Sequence, residues 1–250
     1  MAGSGFVARL PAARPTRPRP RRAARAGDTP GRNLTPRIRS FVSDLPDYAL
    51  ALLTNNAQPV VFERGAIVLR PGVMNRPAIV AAGRLRLFVQ DGDGRQATVS
   101  YDGPGDAVGV AHYFDPDIHL TAQAFTEAQL LHFDGAVLED LMGRDARVAR
   151  AVAAMLADRV AACTLQMRYQ VFGSARLRLA AHLLTLAEPD ASGRLVARVG
   201  QQELADAVGS VREHVARVLR EFRRLGMVIT TRTSVVILDA PALQAEATLE

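Results

Sequence analysis

Hydrophobic positions change their period along this chain, and each change marks a different kind of structure. From 59 to 133 the apolar residues come in short β-branched runs punctuated by Gly and turn residues: 60–63, 66–69, 78–81, 85–90, 97–101, 107–110, 121–125 and 130–133. Eight such runs predict eight strands arranged as a sandwich or barrel. Ahead of them Ile38, Phe41, Val42, Leu45, Tyr48 and Leu52 recur at helical spacing and predict one lead-in helix over 37–55.

From 146 to 172 the chain runs without Gly or Pro. Ala153, Leu156, Val160, Cys163, Met167 and Gln170 advance by three and four in turn, the spacing of a coiled-coil seam. Val148, Val152 and Met155 form a second apolar face, suited to lie on the β-rich part. The seam then needs another partner, most simply the same helix of a second subunit. Cys163 falls in this seam and reads as a small apolar residue rather than a redox sensor. Gly173 and Ser174 break the helix, a further helix is expected over 175–187, and 188–193 reads as a polar loop.

Between 201 and 225 the pattern is that of two short helices joined by a tight turn. Leu204, Ala205 and Val208 give the first an inward face, Gly209 supplies the permissive backbone, and Val211, Val215, Val218, Leu219 and Phe222 face inward from the second. This is the pattern of a helix-turn-helix. Arg212, Glu213, His214 and Arg217 point outward near the start of the second helix. A recognition helix presents such residues to base edges in the major groove, where Arg pairs with guanine and Glu accepts from the cytosine amino group. Plainer readings exist for the same residues: Ser210 and Glu213 are spaced as a capping box, and Arg217 and Glu221 as a surface i,i+4 pair. After Gly226, two β-rich runs around a polar turn predict a hairpin, so the whole unit reads as a winged helix. Seven Arg against four acids between 198 and 235 suit contacts to phosphates.

With 48% hydrophobic residues among 250, the chain can bury a sizeable core and should hold more than one domain. No apolar run approaches the roughly 20 residues of a membrane span, so no membrane partner is expected. One cysteine excludes an internal disulfide and cannot alone hold an iron–sulfur cluster or a structural zinc, and a reducing cytoplasm is the expected setting. The net charge of +6 is unevenly placed: residues 1–36 carry eight Arg against Asp28 alone, which leaves the remainder close to neutral. Six prolines break that segment, which reads as a disordered basic tail, either a passive extension or an arm adding non-specific DNA affinity. No hydrophobic region follows Arg21-Arg22 closely, so export is not expected. Nor is an enzyme expected, because the chain has no Gly-rich phosphate loop, nucleophile elbow or metal-spaced His/Cys set.

A β-rich part, a long helix and a winged helix, in this order, resemble the Crp/Fnr family of bacterial transcription regulators over approximately 37–243. The resemblance rests on Gly65-Ala-Ile-Val-Leu-Arg-Pro-Gly72, on Gly83 ahead of Arg-Leu-Arg-Leu-Phe, and on Gly105-Asp-Ala-Val-Gly109. In the last part it rests on Val208-Gly-Ser-Val-Arg-Glu-His-Val-Ala-Arg217, similar to the family's V-G-x-S-R-E-x-V-x-R recognition motif. The resemblance implies an α+β fold in which a jelly-roll-like β-roll sensor domain (37–145) follows the tail (1–36). A dimerisation helix (146–172) and a C-terminal winged helix-turn-helix (173–250) complete it. It also implies a cytoplasmic homodimer reading a near-palindromic site on double-stranded DNA, with RNA polymerase as a further candidate partner. The base-reading Arg, Glu and Arg of the family fall on Arg212, Glu213 and Arg217, with Gln201, Gln202, Ser210 and His214 as further DNA contacts. Val211 stands where the family usually has Ser, and His214 where Thr is frequent.

The sensor part departs from the cyclic-AMP-binding members, in which a Glu after the glycine bonds the ribose and an Arg farther on neutralises the cyclic phosphate. Here those positions hold Val110 and Leu120, followed by Thr121 and Ala122. Burying a phosphodiester without a cation is costly, so cyclic-AMP binding is not expected. Gly109, Val110, Ala111, Leu120, Thr121 and Ala122, with Cys163 and Thr164 of the long helix, are instead expected to line an apolar pocket. Such a pocket suits a hydrophobic effector, haem, or closure by side chains with no ligand, and no cofactor is assigned. His112, His119 and His132 are the candidate haem ligands, although histidines on loops and strands are more often packing or surface residues. The oxygen-sensing cysteine cluster of other members is absent.

Overall fold

A computed structural model describes residues 40–73 and 76–248; the basic tail lies outside the described residues. The chain enters through α1 (Phe41–Asp44) and α2 (Asp47–Thr54) rather than through one lead-in helix. Pro46 is the reason: it lacks an amide proton and forces the preceding Leu45 into extended backbone, φ −81° and ψ 144°.

Eight strands follow: β1 (Gln58–Phe62), β2 (Ile67–Leu69), β3 (Ala78–Ala82), β4 (Leu85–Gln90), β5 (Gln96–Asp102), β6 (Ala107–Val108), β7 (Thr121–Ala124) and β8 (Ala128–His132). They form two antiparallel four-stranded sheets, in the orders β1-β8-β3-β6 and β2-β7-β4-β5. The strand expected over 107–110 stops at Val108, because Gly109 turns the chain with a φ of 81° and starts α3 (Val110–Phe114). Leu69, Val80, Leu85, Leu87, Ala122 and Leu130 are buried between the sheets. A second core gathers Phe41, Leu53, Val110 and Phe133 with α4 (Gly135–Arg144) and the first turns of α5 (Ala146–Phe172).

The long helix spans 146–172, the range its sequence predicts. Asp145 caps its start by accepting from the Arg147 amide at 2.8 Å. Val148, Val152 and Met155 are buried against the β-roll side, whereas Val160, Cys163, Met167 and Gln170 are exposed in the single chain and Leu156 is half-buried. Between these two faces Arg159 reaches into the roll. Its guanidinium meets the fully buried Asp102 carboxylate in a fork, at 2.5 and 2.8 Å, and donates to Ser100 Oγ at 3.0 Å.

The last part contains α6 (Ala175–Leu186), β9 (Glu188–Pro189), β10 (Leu195–Ala197), α7 (Gln201–Ala207), α8 (Arg212–Arg224), β11 (Val228–Thr230), β12 (Val235–Ile237) and α9 (Ala240–Glu246). The expected hairpin, β11 and β12, extends into a four-stranded sheet of order β11-β12-β10-β9. Glu188 and Pro189 therefore belong to a strand rather than to a polar loop. Leu179, Leu183, Leu204, Leu219 and Phe222, with Leu243 of α9, centre one core that holds the four helices and the sheet together.

Candidate nucleic-acid interface and sensor pocket

The turn between α7 and α8 is closed by the Ser210 amide, which donates to Ala205 O at 2.9 Å, and by Gly209 in left-handed backbone, φ 61°. Val215, Val218, Leu219 and Phe222 fix one face of α8 in the core. Val211 does not join them: it occupies the N-cap position and is 63% exposed. The opposite face presents Arg212, Glu213 and Arg217 to solvent, with His214 half-buried beside them.

Neither plainer reading of these residues is realised. No side-chain hydrogen bond caps α8, so Ser210 and Glu213 form no capping box. The reciprocal bond forms one helix earlier, where the Gly200 amide donates to Glu203 Oε2 at 2.9 Å. Glu221 accepts from Arg176 Nη1 at 2.7 Å rather than pairing with Arg217. Among the described residues, Arg212, Glu213 and Arg217 have no side-chain partner, so their charged ends are uncommitted. Gln202 donates to Asp206 Oδ1 at 2.8 Å, while Gln201 is half-buried at the start of α7. Arg220, Arg223 and Arg224 are exposed along α8, and Arg232 is exposed at the wing tip, where Thr231 and Ser234 close the turn.

The residues expected to line an effector pocket are divided between two cores and the surface of α5. Val110 is buried in the core shared with Phe41, Phe133 and α5, whereas Ala122, with Leu120 packed beside it, belongs to the separate core between the sheets. Gly109 is crowded as well, since a Cβ there would lie 3.2 Å from Leu69 Cδ1 and 3.3 Å from Pro77 Cα. Ala111 and Thr121 are half-buried. Cys163 and Thr164 are exposed on α5, and the Thr164 hydroxyl donates back to Val160 O at 2.9 Å.

The candidate haem histidines are occupied or apart. His112 Nε2 lies 2.9 Å from Leu120 O and His132 Nδ1 lies 3.1 Å from Arg76 O, while His119 is exposed. Burial holds the His112 pKa below its ordinary value.

Sequence reasoning missed a polar seam between the outer face of the β4–β5 sheet and the helix-turn-helix. Arg64 pairs with Glu203 at 2.5 Å, Arg84 with Glu188 at 3.0 Å, and Tyr101 Oη meets His182 Nε2 at 3.0 Å. Ala97 and Val208 add an antiparallel bridge. Arg86 is buried in this seam, donating to Thr98 Oγ1 at 2.8 Å and Gln96 Oε1 at 2.9 Å, with Nη2 unpartnered. The one local signal was Arg86 itself, an Arg set between two core leucines of β4.

Comparison with known proteins matches residues 59–145 to the cyclic nucleotide-binding domain and residues 177–246 to the Crp-like helix-turn-helix domain. The transcriptional regulator LdrP of Thermus thermophilus is 35% identical over 62% of this chain and 78% of its own length. The chain belongs to the Crp/Fnr family. A CRP-like cAMP-activated global transcriptional regulator of Mycobacterium tuberculosis is 28% identical over 80% of this chain and 92% of its own. Among solved structures, a Thermus thermophilus transcriptional regulator of the CRP/FNR family is 27% identical, with a TM-score of 0.65 over 76% of this chain and 98% of its own. The chain is therefore a DNA-binding transcription regulator of the Crp/Fnr type and not an enzyme. No helix among the described residues is long and apolar enough to cross a membrane.

Proposed function

We propose that this Crp/Fnr regulator works in the cytoplasm as a homodimer joined through the 146–172 helices. It reads a near-palindromic DNA site with Arg212, Glu213 and Arg217, and does so without cyclic AMP in its β-roll. The observation that carries the reading is the contrast between two sets of side chains. On α8 the charged ends are exposed and uncommitted, ready for base edges. In the roll, the family resemblance puts Val110 and Leu120 where cyclic-AMP binders carry Glu and Arg; Val110 is buried in an apolar core and Leu120 is half-buried against another. A relative's cAMP activation therefore does not transfer to this pocket, since a buried phosphodiester would find no cation.

The dimer reading is supported by the exposed apolar row of α5, where Val160 is 65% and Met167 66% exposed. Two recognition helices related by a twofold would enter neighbouring major grooves, with Gln201, Gln202, Ser210 and His214 as flanking contacts and the wing Arg232 on phosphate. RNA polymerase is a further candidate partner. The layout is a sensor roll up to 145, the dimer helix to 172 and the DNA module beyond it. A second reading, a ligand-independent regulator with a vestigial sensor, is favoured by the same Val110 and Leu120 in place of Glu and Arg.

Fluorescence anisotropy on a selected operator tests both. Arg212→Ala should lose discrimination at one base position by about 1–3 kcal/mol, and millimolar cyclic AMP should leave wild-type affinity unchanged. Unchanged discrimination in the variant overturns the assignment of the reading residues. A tenfold or greater tightening by cyclic AMP overturns the account of the pocket.

A further inference from the structure

A cavity of about 630 Å³ lies where the edge strand β5, the helices α5 and α6 and the strand β10 meet. Its size falls among small-molecule sites, about 300–1,000 Å³. None of the residues expected to form the effector pocket lines it. Leu165, Leu186 and Val196 supply apolar wall, and Tyr101 and Phe125, packed edge to face with centroids 5.1 Å apart, supply aromatic wall. Ser100, Gln166 and Thr185 add polar atoms.

Around the cavity one cation is uncommitted, and one carboxylate, Asp106, has no ion pair among the described residues. Arg84 is paired with Glu188 and Arg64 with Glu203, while Asp106 Oδ2 accepts from the Gly103 amide at 2.8 Å. Arg198, exposed on the wall, has no side-chain partner among the described residues. An uncommitted guanidinium beside aromatic and aliphatic wall is suited to a flat ring that ends in an anion, because the planar fork takes a carboxylate in two parallel bonds.

We propose that this cavity is an effector site for a planar aromatic carboxylate, with the ring against Tyr101 and Phe125 and the carboxylate on Arg198. Sensor roll, long helix and DNA module each contribute wall, so occupation is linked to how the module is held on the roll. That regulatory half rests on the proposed function; the binding half does not.

The test uses the full-length protein and 2-naphthoate as probe. Isothermal titration should give saturable binding at one site per protomer. Arg198→Ala, and separately the neutral analogue 2-naphthamide, should each weaken binding about tenfold or more. Leu165→Trp, which fills the cavity, should abolish it. Operator affinity should change with 2-naphthoate in the wild type and not in the Leu165→Trp protein. A flat titration up to millimolar probe overturns the site, as does binding that neither variant alters. If the probe binds as described but operator affinity does not respond, the regulatory half is overturned and the site stands. Failure of the unliganded wild type to recognise an operator would instead strike the proposed reading of DNA.

Discussion

Asp102→Asn keeps the size of the side chain and removes its charge, and the structure sets what that should cost. The Asp102 side chain is fully buried and Arg159 is 15% exposed, so water cannot replace the lost partner. Both carboxylate oxygens accept from the guanidinium, and the remaining partners of Arg159, Ser100 Oγ at 3.0 Å and Ala107 O at 3.4 Å, are neutral. Breaking a buried pair by removing one charge costs about 3–5 kcal/mol, against a total stability of about 5–15 kcal/mol for a folded domain. Removing both charges, as Asp102→Leu with Arg159→Met, should be close to neutral or stabilising, because the desolvation of both ions is avoided. Urea denaturation followed by circular dichroism measures each, at a protein concentration high enough that dissociation does not limit the transition. A cost below about 1 kcal/mol for Asp102→Asn would mean that the pair is hydrated in solution and does not anchor α5 to the roll.

His182 is buried, and burial, helped by the nearby Arg86 charge, holds its pKa down at about 3 from an ordinary 6.5. The unfolded chain binds the proton first, so stability should fall as pH drops from about 6.5 towards 3, on the order of a few kcal/mol over that window. Asp106 works the other way, its pKa raised to about 6 by burial, so the decisive comparison is the pH slope of wild type against His182→Gln, which should be flatter. Val160→Glu with Met167→Glu places like charges along the exposed row of α5 and should shift the protein to monomer in sedimentation velocity, with at least a tenfold loss of operator affinity; a stable dimer would refute the seam. Arg232→Ala should weaken binding to all sequences alike and reduce the salt slope by about one ion, measured as anisotropy against salt.

Elements announced by a local period were legible in the sequence. The eight strands, the 27-residue helix and both helices of the DNA module are where alternation or helical spacing puts them. Elements whose burial is decided at long range were not. Pro46 ended a helix that apolar spacing alone would have continued, and α4, which contains Gly135 and Gly143, was hidden behind the last strand. Val211 has the right spacing for an inward residue, but as the N-cap it lies before the helical face begins. Asp102 and Arg159 pair across 57 positions, a contact no short window contains. The division of Val110 and Ala122 between different cores is likewise a matter of packing that no short window contains.

The joints of the molecule differ in strength, and this bears on where a regulatory movement would occur. The long helix is tied to the roll by a desolvated fork and by Val148, Val152 and Met155 in a closed core, contacts that cost several kcal/mol to break. The DNA module is held on the roll by weaker links. Arg64–Glu203 is 58% and 40% exposed and Arg84–Glu188 27% and 54%, and pairs of this kind contribute about 0.2–1 kcal/mol each. The Tyr101–His182 bond adds about 1 kcal/mol, and Arg86, with Nη2 unpartnered, is incompletely satisfied in the docked arrangement. Tyr101 and Phe125 of the roll also pack against the core of the module; the polar links, worth a few kcal/mol together, lie within reach of an allosteric ligand, whose coupling is typically about 1–3 kcal/mol, whereas the buried fork between α5 and the roll does not. Movement on activation is therefore expected at the face between β5 and α7, with α5 carried as part of the roll. Hydrogen exchange along β5 around Ala97, measured with and without operator DNA, reads that face, the Val208 amide being committed to Leu204 O at the end of α7: faster exchange on DNA binding fits release of the module, and unchanged protection refutes it.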